Sequence, residues 1–230
     1  MVVFAYNFPH RKTQDVLVAL HLAGYEVDAV IAADPVELSI PPSTVRTKLS
    51  HDWQLHPADV AARLGMRYEV MAHQGEKIEA FLDELRPTLG VVAGARILKS
   101  PVIDRFAVGI LNLHPGLIPE ARGLDALLWS VRHDVPLGAT AHLIDERVDA
   151  GRILVRRPIP IRADDTAIDL GERLLETQLV ILPEAVETAL SGDGEQLNDP
   201  GRHDPKMSPE MEAETLSMVA GYVEAHSEEP

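Results

Sequence analysis

The sequence predicts an α/β fold: a mainly parallel sheet flanked by helices on both faces, with a short C-terminal helical extension. Two patterns carry this. Short apolar runs such as Val2–Tyr6, Leu89–Ala93 and Val108–Leu113 lack strict alternation, as strands buried on both faces do. Segments with apolar residues at helical spacing lie between them, and a repeated strand–helix rhythm favours a parallel sheet.

Taken in order, Val2–Tyr6 is a strand, followed by a polar turn from Asn7 to Lys12. Thr13–Leu22 carries Val16, Leu17 and Leu20 on one helical face and stops at Gly24. Glu26–Ala33 is a strand closed by Asp34-Pro35. Leu38–Gln54 contains Pro41, Pro42 and Ser43, has no period and reads as a long loop. Pro57–Leu64 is a short helix, Arg67–Ala72 a strand, Gly75–Leu85 an amphipathic helix and Leu89–Ala93 a strand. Pro101–Phe106 is a turn or two of helix and Val108–Leu113 a strand. Leu124–His133 is then helical, and Ala139–Ile144 and Ile153–Pro160 are strands. Asp165–Leu190 is a long helix, kinked or ended at Pro183. Residues 1–190 read as one catalytic-type domain. Residues 191–230 read as a polar connection and a terminal helix, Pro209–His226.

Composition narrows the function. With 230 residues, 46% hydrophobic and 25% charged, the chain can bury a real core. A formal net charge of −15 disfavours general nucleic-acid binding. The absence of cysteine excludes disulfides, thiolate catalysis and cysteine zinc sites, and no metal is expected. No run approaches the ~18 apolar residues of a membrane span, and the start of the chain does not read as a signal peptide. The expectation is a cytoplasmic protein without a membrane partner. The acidic chain and the Pro209–His226 helix are a weak hint of a homodimer contact.

The sharpest segment is Gly109-Ile-Leu-Asn-Leu-His-Pro-Gly-Leu-Ile-Pro-Glu-Ala-Arg-Gly123. Asn112 and His114, two apart on a strand, face the same way. Pro115-Gly116 ends the ladder, so both lie at a strand's carboxyl end, where open α/β sheets bind ligands. Asn112 can donate to a carbonyl oxygen that gathers charge, and His114 can move a proton near neutral pH. Taken alone, such a pair more often ends a strand and fills a core. Asp149, just before Ala150-Gly151, adds a carboxylate that would orient a histidine if it lay beside one; by itself Asp-x-Gly is an ordinary turn.

Together these segments resemble the 10-formyltetrahydrofolate-dependent formyltransferase family. Its pattern runs Asn-x-His-Pro-Ser-Leu-Leu-Pro, then Arg-or-Lys-Gly, then Gly-x-Thr-x-His, then Asp-x-Gly. This chain has Asn112-Leu-His114-Pro-Gly-Leu-Ile-Pro119, Arg122-Gly123, Gly138-Ala-Thr140-Ala-His142 and Asp149-Ala-Gly151. Val91-Val-Ala-Gly-Ala-Arg-Ile-Leu98 is similar to the loop that holds the family's pterin through backbone groups. The likeness is strong over residues 86–162. It implies a Rossmann-like formyltransferase fold, with 10-formyltetrahydrofolate as cosubstrate and a small-molecule amine as acceptor. Asn112 would hold the formyl oxygen, and His114 paired with Asp149 would assist proton movement. Arg96, Ile97, Leu98, Val148 and Asp149 would contact the folate, and Arg122 and Gly123 become acceptor-side candidates. The likeness also implies a cis Ile118-Pro119 peptide, whereas X-Pro bonds are usually trans. His142 reads as a structural member of its strand, and Trp129 as core packing.

The acceptor is less legible. The purine-biosynthesis branch of the family has a Gly-Ser-rich phosphate loop after its first strand, where this chain has Asn7-Phe-Pro-His-Arg-Lys12. Arg11 and Lys12 could hold a phosphate as point charges at a helix start, or simply form a solvated turn. The tRNA branch carries a C-terminal barrel for which the residues after Leu190 leave no room. A nucleotide-linked amino sugar ranks first as acceptor and glycinamide ribonucleotide second. A hydrolase that passes the formyl group to water and a silent folate-binding module are the readings from other classes.

Overall fold

The computed structural model describes residues 1–37, 39, 41, 43–44, 54–145, 151–199 and 201–227. The chain begins β1 (Val2–Tyr6), α1 (Arg11–Leu22), β2 (Ala29–Ala33), α2 (Pro57–Arg63), β3 (Tyr68–Val70) and α3 (Glu76–Leu85). It continues β4 (Leu89–Val92), α4 (Ser100–Ile103), β5 (Gly109–His114) and α5 (Ala126–His133). It ends β6 (Gly138–Leu143), β7 (Ile153–Pro158), α6 (Ala167–Ser191) and α7 (Pro209–His226).

The described strands form one sheet in the order β3-β2-β1-β4-β5-β6-β7. The first five are parallel; β6 and β7 are antiparallel to their neighbours. The direction of winding reverses between β1 and β4. A crevice opens outside the carboxyl ends of strands at such a switch point.

Both faces of the sheet are covered. Val3 and Ala5 of β1 and Leu111 and Leu113 of β5 pack with Leu17 and Leu20 of α1 and Ile181 and Val186 of α6. On the other face, Phe4 and Ile110 pack with Ile78 and Leu82 of α3 and Val102 of α4. This two-sided burial is why the central strands read as continuous apolar runs.

Most elements end within one or two residues of the sequence reading; β3 is shorter, Tyr68–Val70 rather than Arg67–Ala72, and α1, β2 and α6 differ as follows. α1 starts at Arg11, not after Lys12, because the His10 ring accepts the Thr13 amide and caps the helix earlier. β2 starts at Ala29; the stretch before it is held by Met1, whose carbonyl accepts the Asp28 amide and whose ammonium donates to the Glu26 carbonyl and the Asp28 carboxylate. α6 runs unbroken through Pro183. The proline removes one helical hydrogen bond, yet the buried row Ile181, Leu182, Ala185, Val186 and Ala189 keeps both halves packed on the sheet.

The residues after α6 return across the fold. Glu195 exchanges backbone hydrogen bonds with Ile153 on β7, and Asp204 bridges to Gly123. Gly123 has φ +99°, and a side chain there would collide with the Asp204 carbonyl, so only glycine fits. α7 packs on α5, with the Tyr222 hydroxyl donating to the Val135 carbonyl. Trp129 is buried, and its indole N–H donates to the Pro205 carbonyl at 2.8 Å.

Candidate active site at the carboxyl end of the fifth strand

β5 alternates. Leu111 and Leu113 point into the core beneath α1 and α6, so Asn112 and His114 point to the opposite face with Ile110. The strand ends at His114, because Pro115 has no N–H to extend the ladder.

β6 runs antiparallel beside it and sets His142 directly opposite Asn112. The Asn112 side-chain nitrogen lies 3.2 Å from His142 Nε2. His142 is fully buried, and its Nδ1 lies 3.2 Å from the Leu143 carbonyl oxygen. A carbonyl only accepts, so Nδ1 donates to it, and in the neutral ring Nε2 then accepts from the Asn112 amide. His142 thereby fixes which end of the carboxamide is nitrogen. Sequence reasoning placed His142 in the strand but missed this orienting contact, which depends on the cross-strand register.

His114 is buried to 4% exposure, with Nε2 2.9 Å from the Ala121 carbonyl oxygen. In the neutral ring Nε2 donates to that oxygen and Nδ1 is the acceptor nitrogen. The turn after His114 is held by Thr140. Its hydroxyl donates to the Gly116 carbonyl at 2.7 Å and accepts the Ile118 amide at 3.1 Å. Arg156 Nε donates to the Ile118 carbonyl, and the Ile118-Pro119 peptide is cis.

A cleft of about 840 Å³ opens beside Asn112 and His114. Leu124 and Leu127 border it from the start of α5, Ile168 from α6 and Leu216 from α7. Thr44, which follows β2 in the chain, lines it as well. Ser43 and Thr44 are tied to α7: the buried Glu212 carboxylate accepts from the Thr44 amide, the Thr44 hydroxyl and the Ser43 hydroxyl. Burial pushes the Glu212 pKa up. The bonds from Thr44 and Ser43, with Lys206 nearby, outweigh it and leave the carboxyl below its ordinary value.

The other candidates fall as follows. Arg11 pairs with Glu172 at 2.6 Å and with Asp15 at 3.5 Å. Lys12 Nζ donates to the Leu113 carbonyl at 2.7 Å and to Gln178 Oε1 at 2.9 Å, which ties α1 to β5 and α6. Arg122 is buried and donates to the Gly201 carbonyl, whereas Gly123 lines the cleft. Val148 and Asp149 lie outside the described residues.

Arg96, Ile97 and Leu98 follow β4 at the switch point. Arg96 donates to the Val36 carbonyl, and Gln74 donates to the Ile97 carbonyl. Leu98 sits in the core with Ile110, on the face to which Asn112 points. Ile97 is 66% exposed, an apolar side chain that a planar ring could cover, so the segment fits a bound pterin. Beside it, at the end of β1, Tyr6 stacks on Phe8 with 5.0 Å between ring centroids, and His10 meets Tyr6 edge-on. Burial, then the charge of Lys12, hold the His10 pKa below its ordinary value, in keeping with an unprotonated Nδ1 capping α1. Among the described residues, no three His, Asp or Glu side chains cluster as metal ligands. Nor is any described helix long and apolar enough to cross a membrane.

Comparison with known proteins agrees with this architecture. The chain is 31% identical over 144 residues to the human trifunctional purine biosynthetic protein adenosine-3, covering 58% of this chain and 14% of that protein. It is 32% identical over 142 residues to methionyl-tRNA formyltransferase of Porphyromonas gingivalis, covering 58% of this chain and 43% of that one. The match thus spans less than half the length of either relative. Among solved structures, the fold resembles a sugar N-formyltransferase from a Shewanella species. The TM-score is 0.63 at 20% identity, over 95% of this chain and 86% of that one. It also resembles glycinamide ribonucleotide transformylase 1 from Symbiobacterium toebii, with TM-score 0.62 at 23% identity over 86% and 93% of the two chains. The family model for formyl transferase matches residues 37–186, well over half of the sequence, and the chain belongs to the formyl transferase family.

Proposed function

We propose that this protein transfers the formyl group of 10-formyltetrahydrofolate to the amine of a small molecule, with Asn112 and His114 at the reacting centre. The observation that carries this reading is their placement in a member of the family. Both lie on one face at the carboxyl end of β5, beside the cleft.

The cosubstrate supplies the formyl carbon, and the segment Arg96–Leu98 offers its ring a place on the face to which Asn112 points. The Asn112 side-chain nitrogen lies against His142, which orients the carboxamide, and an amide nitrogen so held is the donor assigned to the formyl oxygen. His114 is the proton carrier: the attacking amine loses a proton as its bond to the formyl carbon forms, and the departing folate nitrogen gains one as its bond breaks. Asp149 is assigned, on family likeness, to stabilise the imidazolium form of His114. Val148 and Asp149 would complete the folate side.

The sequence ranks a nucleotide-linked amino sugar first as acceptor and glycinamide ribonucleotide second. The test of the general reading is tetrahydrofolate release from 10-formyltetrahydrofolate across a panel of amines. Release that depends on an amine, with the formylated amine recovered, is the expected outcome. Release of formate with no amine dependence would make the protein a hydrolase. Folate binding with no turnover would make it a binding module.

A further inference from the structure

We infer that the cleft beside His114 takes an amine carried on an apolar aliphatic or aromatic body, without a phosphate. The inference deepens the formyl-transfer reading and rests on it, and it sets aside both phosphate-bearing acceptors that the sequence ranks.

The cleft and the proposed folate segment are separate. None of Arg96, Ile97 or Leu98 lines the cleft, which extends instead between the starts of α5 and α6 and the side of α7. With the donor along β4, the cleft is left for the acceptor. Its volume of about 840 Å³ suits a small organic molecule.

The lining chooses among amines. Leu124 is 57% exposed and Ile168 46% exposed, and with Leu127 and Leu216 they surround a concave space next to the reacting groups. Large apolar side chains gathered at a concave surface gain free energy when an apolar ligand covers them. Among the described lining residues there is no lysine or arginine. The one carboxylate, Asp125, is bonded to Lys206 Nζ at 2.8 Å and to the Met207 amide.

The start of α1, where a phosphate would bind, is also committed. Arg11 is held by Glu172 and Asp15, and Lys12 by the Leu113 carbonyl and Gln178. The His10 ring takes the Thr13 amide, one of the N–H groups that a helix start would otherwise offer to an anion. A phosphorylated acceptor would have to break these contacts on a chain of net charge −15. An apolar amine breaks none.

The experiment is calorimetric titration of the full chain with 2-phenylethylamine and hexylamine against phosphoethanolamine, glycinamide ribonucleotide and a nucleotide-linked amino sugar. Formyl transfer is measured on the same panel. Ile168→Asp is the variant, since Ile168 is exposed and an acid in the first turn of α6 suits the helix dipole. The expected result is binding of the apolar amines with a negative heat-capacity change, weakened about tenfold or more by Ile168→Asp. Tighter binding of the phosphorylated amines, or apolar binding unchanged in Ile168→Asp, overturns the inference. Apolar amines that bind but are not formylated would sink the transfer reading and leave the cleft assignment standing. Formylation of glycinamide ribonucleotide without apolar binding would do the reverse.

Discussion

The side-chain nitrogen of Asn112 lies 3.2 Å from Nε2 of His142, a fully buried histidine directly opposite it on the antiparallel neighbour. In the neutral ring, with Nδ1 donating to the Leu143 carbonyl, Nε2 is the acceptor for the Asn112 amide and orients the carboxamide. His142 acts through Asn112 and is a positioning residue.

Asn112→Ala removes the proposed donor to the formyl oxygen, and kcat is expected to fall by about 10²–10³. His142→Phe is expected to lower kcat by a smaller factor with the KM for folate nearly unchanged. His142→Gln, which keeps an acceptor, should recover part of the loss. Steady-state kinetics of the three variants, with thermal unfolding as the folding control, make the check. Equal KM and kcat effects in His142→Phe would point to general disruption instead.

Thr140 is fully buried and serves two backbone groups of the turn after His114, the Gly116 carbonyl and the Ile118 amide. Thr140→Val keeps the shape and leaves both without that partner. A loss of about 1–3 kcal/mol is expected, read as a lower denaturant midpoint. Activity should fall further than stability, because the turn holds His114 in place.

Glu212 links a pH dependence to the cleft. Its carboxyl has a lowered pKa in the folded chain, so the unfolded chain binds the proton first as pH falls. The stabilisation is complete above the ordinary glutamate range and is lost as pH drops through the folded value. Hydrogen exchange at the Thr44 amide should accelerate, relative to its intrinsic rate, in that acid window. Glu212→Gln should show the faster exchange already at pH 7. Exchange in the variant equal to that of the wild type would remove Glu212 as the tie to the cleft wall.

His10 gives a second, separate window. Its pKa is lowered on folding, so the unfolded state binds the proton first below about 6.5. The cap's contribution is full above that value and declines as pH falls through the lower folded value. His10→Asn keeps an N-cap and should flatten this part of the stability profile, whereas His10→Ala should cost about 1 kcal/mol at pH 7. Denaturant titrations between pH 5 and pH 8 compare the three proteins.

How far the sequence could be read depended on distance along the chain. Asn112 and His114 share a strand, and a period of two placed them on one face without any tertiary information. The buried strands β1, β4 and β5 carried their own signal for the same reason. His142 could not be assigned as the partner of Asn112, because nothing local sets the register between β5 and β6. Arg11 and Lys12 looked like free charges in a turn; their partners Glu172 and Gln178 lie far along the chain, on α6. The α7 wall of the cleft was hidden likewise, since Leu216 reaches the cleft, and Glu212 reaches Thr44, only after the chain has crossed back from β7. Pro183 misled in the other direction: the local cost of a proline was clear, and the packing that offsets it was not.

The most direct measurement is amine-dependent formyl transfer by His114→Ala beside the wild type, with 10-formyltetrahydrofolate as donor and thermal unfolding recorded on both. Turnover reduced by about a hundredfold or more is predicted, within the range of a lost general acid–base, with the midpoint of unfolding shifted by only a few degrees. Wild-type turnover in His114→Ala would contradict the assignment of the reacting centre.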